Sequence, residues 1–496
     1  MEGSLGPARP LRNLADVRQS CERDHGRRMM RSSNDVLLRH TFAILQGMTA
    51  RALDSTDLYG LRLKTLWSGF RREGLAFWLL CAYLMFEYVR PQSVYPALAL
   101  VPWTTATMLA AAVAVIAAPR TVRVSSPANI YLALFSVVLV LSSMSAYKPS
   151  YSFARFDGYF LWVVAYGLIV YTVTTERRML LMILAFVLFN LKMTQFAVRS
   201  WVSIGFGFRD WGVGGGPGWF QNSGEFGIEM CVFFPIITYL ALGLRPHLPK
   251  WKFLVLLGIA GSALIGMVMS SSRGALFGGA VVMLFMLARS KYLVRGLVAA
   301  AVVGSVFYLA IPPQQKARLS ASGTDDTSVL RLTYWRHGVE IANANPVLGI
   351  GYENWLPYYR DHYEGRAQVC HNIFVQAGSE LGYTGLVAFL LLIGCTFLVN
   401  TRTRALAKRA GPRGHLTYCL ANGLDGALIG YMVSGFFVTV LYYPYFWINL
   451  GMTVALNTVA KQLLSSPSRV GDRAKAATSR HLPFRNPGFQ PVLPRQ

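Results

Sequence analysis

Charged residues are scarce in this chain, and acidic ones are scarcer still. Charged side chains make up 14% of the 496 residues, and 23 Asp and Glu stand against 48 Lys and Arg, a formal net charge of +25. Soluble domains average about 25% charged residues, and six cysteines are too few for a disulfide framework in this length. Apolar residues make up 53% and aromatic ones 13%, which excludes a disordered chain. A membrane protein with basic loops fits this balance.

Long apolar segments recur along the chain. A helix needs about 20 apolar residues to cross the roughly 30 Å hydrocarbon layer. By that measure the sequence predicts an all-α polytopic membrane protein with about twelve transmembrane helices. The predicted spans are 74–90, 97–118, 128–146, 156–173, 179–197, 226–244, 253–270, 274–288, 296–311, 382–400, 418–440 and 443–463.

The Lys and Arg residues lie mostly in alternate loops and in both tails. Cytoplasmic loops carry the Lys/Arg excess, so we expect both termini to be cytoplasmic. One large external loop is expected to contain short helices around Leu330–Ala344 and 371–381. The expected organisation is a basic N-terminal tail with an amphipathic stretch and no apolar signal-peptide core (1–73), helices 1–9 (74–311), the large loop (312–381), helices 10–12 (382–463) and a basic disordered tail (464–496).

His371 stands where the large loop returns to the membrane. A histidine there can accept a proton at neutral pH; the alternative is a hydrogen-bonded structural histidine. No other His or Cys stands at a metal-ligand spacing from it, since Cys370 adjoins it directly. The sequence therefore predicts no metal site.

Four arginines on the predicted outer side are candidate phosphate ligands. Arg273 lies in Ser-Ser-Ser-Arg-Gly-Ala, a break between two apolar spans, and the others are Arg331, Arg155 and Arg90. An arginine at membrane depth usually faces a cavity or an anionic partner, and a guanidinium suits a phosphate or diphosphate. The alternatives are an interfacial anchor, for Arg273 and Arg90, and an ordinary surface-helix residue, for Arg331.

Acidic residues are few on the outer side. Glu225 and Glu229 lie one helical turn apart at the start of the sixth span. Ionisable residues entering a membrane are functional candidates, although a helix N-terminus also favours negative charge for stability alone. Glu353 and Glu380 are further candidates.

The sequence contains no Walker loop, kinase signature or serine-nucleophile elbow. The energy for the protein's activity then comes from a gradient or from an activated substrate already in the membrane. Two classes of protein fit these sources: a polysaccharide transporter or flippase, and an enzyme. Transporters commonly contain inverted repeats. The sequence shows none, and a long external insert suits rocking halves poorly, so an enzyme is favoured.

The segment that begins at His371 resembles the O-antigen ligase and polymerase superfamily of bacterial inner membranes. Its pattern is His, then Asn, then nine residues before Gly-x-x-Gly, here His371, Asn372, Gly382 and Gly385. Looser elements occur in order elsewhere: Phe220-Gln-Asn-Ser, which includes Asn222, Ser272-Arg-Gly, Arg331 followed by Trp335, and the segment 345–354. The resemblance covers roughly residues 75–460.

The resemblance implies a glycosyltransferase that takes a glycan from undecaprenyl diphosphate, without metal or cofactor, at the periplasmic face of the inner membrane. Its partners are then the lipid-linked donor, an acceptor and membrane lipids, and no nucleic acid. A lipid A-core acceptor would make it a ligase; the alternatives are an O-antigen or exopolysaccharide polymerase and a protein O-oligosaccharyltransferase. We expect inversion at the sugar carbon, with His371 as base or acceptor-orienting residue and Arg273 as principal diphosphate ligand. Further diphosphate ligands are Arg155, Arg331 and Arg90, and other candidates are Asn372, Asn222, Glu225 and Glu353.

Overall fold

A computed structural model describes residues 55–118, 124–207, 212–291, 293–298 and 325–465, and the single positions 122, 301, 305, 316 and 320. Regular structure within these residues is helical, without a strand. The chain divides into two units, Met1–Asp57, described only from residue 55, and Leu58–Gln496. Most of both predicted tails and the first part of the predicted large loop lie outside the described residues.

The α-helices follow one another closely along the chain. In order they are α1 (Ser55–Leu58), α2 (Leu63–Arg71), α3 (Leu75–Tyr88), α4 (Pro91–Val94), α5 (Trp103–Ala117), α6 (Ala128–Met144), α7 (Pro149–Phe153), α8 (Asp157–Thr172), α9 (Glu176–Ser203), α10 (Ser223–Leu244), α11 (Lys250–Met269), α12 (Arg273–Ala288), α13 (Asp326–Ala344), α14 (Trp355–His362), α15 (Ile373–Arg409), α16 (His415–Gly435) and α17 (Pro444–Ser465).

A helix stands at eleven of the twelve predicted spans, and most of the ninth span, 296–311, lies outside the described residues. Three of these helices, α5, α6 and α12, are apolar but shorter than 18 residues. The full count of twelve crossings therefore stays a prediction. Within the described residues, five segments are long and apolar enough to cross a membrane: Pro149–Thr172, which contains α7 and α8, Glu176–Ser203, Ser223–His247, Lys250–Met269 and Ile373–Arg409.

Helix α10 lies at the centre of the helical bundle. It packs against α11, α12 and α16, and 89% of its most apolar stretch is buried inside the protein. Small residues allow close approach, since a Cβ built on Gly430 of α16 would fall 2.8 Å from the carbonyl oxygen of Cys231. This packing fixes α16, and with it the segment 436–443 that leads to α17.

Helix α15 is interrupted at Gly382. This residue has φ 70° and ψ −178°, a conformation that side chains rarely adopt. A Cβ built on it would fall 2.5 Å from the carbonyl oxygen of Val347, and the next N–H, of Tyr383, donates to the carbonyl of Pro346 at 2.8 Å. The break thus lets the segment before Gly349 pack against the helix, at the predicted boundary between the large loop and the tenth span.

Replacing Gly382 with Ala is expected to destabilise the protein. The backbone conformation alone costs about 1–3 kcal/mol for a residue with a side chain, and the Val347 carbonyl adds a steric clash. Thermal unfolding in lipid nanodiscs measures the effect as a lower midpoint. Gly394→Ala is the matched control, because Gly394 lies later in α15 with open space around its Cβ position. Equal midpoints for the two variants would contradict the prediction.

Candidate functional site

His371 lies in the turn that leads into α15. Its φ of 54° is left-handed, which is uncommon for residues other than glycine. On one side its backbone N–H donates to Thr439 Oγ1 at 2.6 Å. On the other, Asn372 caps α15, and its Oδ1 accepts from the N–H groups of Phe374 (2.8 Å) and Val375 (3.2 Å). The backbone that carries the imidazole is therefore fixed from both sides.

The imidazole of His371 is half-buried and forms no hydrogen bond with any described residue. Burial, and secondly the positive charge of Arg331, lower its pKa to about 4. At pH 7 the ring is therefore neutral and able to accept a proton.

Helix α13 packs against this turn through residues one helical turn apart. The indole N–H of Trp335 donates to the carbonyl of Cys370 at 3.0 Å, and Arg331 precedes Trp335 on the same helix face. The Arg331 guanidinium is half-buried and donates no hydrogen bond to a described residue. Burial and the nearby Arg273 lower its pKa, opposed by Asp325. Arg331 thus holds an incompletely compensated charge beside His371.

Arg273, the first residue of α12, binds a carboxylate. Its Nη1 and Nη2 donate to the two oxygens of Asp325 at 3.0 Å each, and Nη2 also lies 3.3 Å from Ser328 Oγ. The bonds from Arg273 hold the pKa of Asp325 well below its usual range. Two parallel N–H···O bonds are also how a guanidinium binds phosphate. Asp325 therefore occupies Arg273 as a phosphate group would.

Together Arg273, Arg331 and His371 form what we call the arginine–histidine cluster. Its members come from α12, α13 and the turn before α15, and Asp325 is the acidic residue that faces both arginines. A half-buried site with two guanidinium groups and a neutral imidazole can bind a diphosphate and accept a proton beside it.

Arg155 is the charged neighbour of Glu353. Its guanidinium stacks 3.5 Å from the ring centre of Tyr151. Glu353 is half-buried, with a left-handed φ of 60°, and burial raises its pKa while Arg155 lowers it.

Arg90 belongs to a third group. Its Nη2 lies 3.5 Å from Glu87 Oε1, and its guanidinium is 5.8 Å from the ring centre of Trp219. The Trp219 indole N–H also donates to Glu87. Arg90 therefore has a carboxylate and an aromatic partner of its own.

Glu225 and Asn222 both act at the start of α10. Asn222 caps the helix, with its Oδ1 accepting from Gly224 N–H at 3.0 Å. Glu225 Oε1 accepts from the Tyr443 hydroxyl at 3.0 Å, which ties α10 to the segment before α17. Both side chains thus have contacts at the start of α10, and their roles as site residues stay predictions.

The O-antigen ligase family model matches residues 253–390. The chain is therefore similar to the O-antigen ligase family over this stretch. No curated protein matches it. The matched stretch runs from α11 into α15 and so contains the whole arginine–histidine cluster, as well as Glu353 and Asn372.

Four other predicted residues lie outside the matched stretch: Arg90, Arg155, Asn222 and Glu225. Their contacts place Arg155 with Glu353, and they link Arg90 to Glu225 through the rings of Trp219 and Tyr443. Within the described residues, no three His, Cys, Asp or Glu side chains come together as a metal site would require.

Sequence reasoning missed two polar partners of the cluster. Asp325 opens the run Asp-Asp-Thr-Ser before α13, a recognisable helix-start pattern, so a signal for its position was present. Thr439 is 68 residues from His371 along the chain, and nothing in its local sequence marks it as a partner.

Proposed function

We propose that this protein is a glycosyltransferase that moves a glycan from undecaprenyl diphosphate to an acceptor hydroxyl, as an O-antigen ligase does with lipid A-core. The reaction takes place at the periplasmic face of the bacterial inner membrane, with both termini in the cytoplasm. The observation that carries the proposal is the neutral His371 beside Arg331 and Arg273 within the matched family stretch.

The arginines bind the diphosphate. Arg331 lacks a hydrogen-bond acceptor among the described residues, and a diphosphate oxygen supplies one. Arg273 joins when its bonds pass from Asp325 to the phosphate. Negative charge grows on the leaving diphosphate, and preorganised donors of this kind contribute roughly 10²–10³ each in rate.

His371 takes the proton. The acceptor oxygen forms a bond to sugar C1, the bond from C1 to the diphosphate oxygen breaks, and the acceptor proton passes to the imidazole. A bound diphosphate also offsets the charge of Arg331, so the pKa of His371 rises from about 4 toward its ordinary 6.5. A base is most effective with a pKa near the working pH, so donor binding prepares His371 for its role. The sugar is already activated by the diphosphate, and this scheme uses no metal ion or nucleotide.

A single displacement inverts the configuration at C1. We expect NMR of the isolated product to show the opposite anomeric configuration from the lipid-linked donor. Retention would contradict the scheme, because it requires two successive displacements.

Deletion of the gene, with complementation, tests the function in cells by gel analysis of surface glycans. Full-length polymer left on the lipid carrier identifies a ligase, single repeat units on the acceptor identify a polymerase, and unglycosylated exported proteins identify a protein O-oligosaccharyltransferase. Unchanged glycans would contradict the proposal. Transfer by the purified protein in detergent, where there is no membrane to cross, separates an enzyme from a flippase.

A further inference from the structure

A cavity of about 160 Å³ lies beside the turn that carries His371. Its wall includes Cys370 and Thr439, and Thr439 also accepts the hydrogen bond from His371 N–H. The cavity therefore adjoins the backbone of the turn that carries His371. Its volume far exceeds the roughly 10–15 Å³ that a single water needs.

Two carboxylates line this cavity, Glu353 and Glu380, and they differ in how they are bound. Glu380 is 2% exposed and accepts hydrogen bonds from the Tyr442 hydroxyl at 3.1 Å and from Gln376 Nε2 at 3.4 Å. No described residue donates a hydrogen bond to the Glu353 carboxylate, whose electrostatic partner is Arg155. The Glu380 carboxylate is thus hydrogen-bonded within the protein, whereas the oxygens of Glu353 are available to accept hydrogen bonds from a ligand.

The loop that carries Glu353 is rigidly held. The N–H of Gly351 donates to the carbonyl of Glu380 at 2.9 Å, and the buried Asn354 accepts from Lys148 N–H at 2.8 Å. These bonds hold Glu353 in its left-handed backbone conformation, which costs about 1–3 kcal/mol for a non-glycine residue. Strain of this kind, maintained by surrounding bonds, occurs preferentially at binding sites.

The rest of the lining combines aromatic faces with neutral hydrogen-bonding groups. Trp355, Tyr442 and Tyr443 contribute rings, and Gln376 and Thr439 contribute an amide and a hydroxyl. Aromatic walls with a few placed polar groups are typical of ligand sites. A pyranose ring has C–H faces that pack on aromatic rings and hydroxyls that donate to a carboxylate, so it matches this lining better than a purely apolar or a phosphorylated ligand does.

We propose that this cavity is a sugar-binding subsite in which the Glu353 carboxylate accepts hydrogen bonds from the hydroxyls of one pyranose ring of a glycan substrate. The inference rests on the proposed function, because it places a glycan beside His371. The donor glycan and the acceptor glycan share this chemistry, and the two are distinguished by measurement.

Direct binding to the purified full-length protein in nanodiscs tests the subsite. Three probes are used: sugar-free undecaprenyl diphosphate, the oligosaccharide repeat unit released from the cell's own surface polysaccharide, and its lipid A-core. Glu353→Gln is expected to weaken one of the two sugar probes by roughly 10–100-fold, the loss of hydrogen bonds to a charged group, and to leave undecaprenyl diphosphate unchanged. Weaker binding of the repeat unit would show that the subsite holds the donor glycan, and weaker binding of lipid A-core would show that it holds the acceptor.

Two further variants sharpen the experiment. Val369→Phe fills the cavity from the loop side without touching the carboxylate, so it should reproduce the loss even where Glu353→Gln unfolds the loop. Glu364→Gln removes an exposed acid from the same loop and should bind all three probes as the wild type does.

The proposal is overturned if the wild type binds neither sugar probe, or if both cavity variants bind them as the wild type does. It is also overturned if Glu353→Gln weakens sugar-free undecaprenyl diphosphate equally. If the protein bound sugar through Glu353 but had no transfer activity, the proposed function would be wrong and the sugar-binding subsite would still be supported. If both cavity variants transferred glycan normally and bound sugar with unchanged affinity, the subsite would be wrong and the proposed function would still be supported.

Discussion

His371→Ala is expected to lower glycan transfer by about 10²–10⁴-fold, the usual contribution of a general base, while binding of undecaprenyl diphosphate persists. The imidazole is neutral, half-buried and without a hydrogen-bonding partner among the described residues, so its removal deprives the acceptor hydroxyl of a proton acceptor and breaks no side-chain bond. Transfer is measured in purified membranes with expression matched to wild type. His362→Ala, which removes an exposed histidine from the same loop, serves as the control. Near-normal transfer by His371→Ala would make the residue structural.

The pH profile gives this prediction a second readout. The neutral imidazole is the active form and is lost as pH falls through its pKa, so kcat/KM should decline only as pH approaches about 4. Arg331→Ala removes a positive neighbour and favours the protonated ring, so the acid limb should move to higher pH. It should stay below the ordinary 6.5, because burial is the larger cause of the shift. If the acid limb of Arg331→Ala stayed at the wild-type pH, the pKa of His371 would not depend on Arg331.

Arg331→Ala is also expected to weaken binding of undecaprenyl diphosphate by about 10–100-fold, the range for hydrogen bonds to charged groups. Asp325→Asn should act in the opposite direction. It frees Arg273 from a partly exposed ion pair, and such pairs contribute up to about 1 kcal/mol, so binding should tighten by roughly two- to fivefold. Both affinities are measured with the same lipid titrated into nanodiscs.

Arg336→Ala is the matched control for these variants. Arg336 lies on α13 like Arg331, but it is exposed and pairs only at 3.8 Å with Glu340, so its removal should leave the affinity unchanged. Equal losses for Arg331→Ala and Arg336→Ala would mean that α13 attracts the lipid through general charge. If Asp325→Asn bound the lipid more weakly, Asp325 would be a residue that positions Arg273. The proposed transfer of the Arg273 hydrogen bonds from Asp325 to the phosphate would then be wrong.

The sequence allowed the helices and the family to be predicted because both depend on local patterns. Apolar runs mark the helices, and the spacing from His371 to Gly385 marks the family, which the match over 253–390 confirms. The break at Gly382 also falls where the large loop was predicted to end. In each case the signal lies within a few tens of residues.

The grouping of the site residues could not be predicted in the same way. All four outer arginines were predicted to bind the diphosphate, with Arg273 as the principal ligand. The structure instead places Arg273 near Arg331, Arg155 near Glu353, and Arg90 near Glu87 and Trp219. Their separation depends on how α12, α13 and the turn before α15 pack, which involves contacts between residues far apart in the chain. Asn222 and Asn372 likewise looked like site candidates, and their side chains cap helices.

The salt bridge between Arg273 and Asp325 also bears on which anions the resting protein takes from solution. Because such a partly exposed pair contributes up to about 1 kcal/mol, it lowers the affinity of Arg273 for a free phosphate or sulfate ion by up to about fivefold. The proposed lipid-linked diphosphate has two phosphate groups and can contact Arg331 as well, so the second arginine offsets part of that cost. The salt bridge thus favours the larger ligand over small free anions.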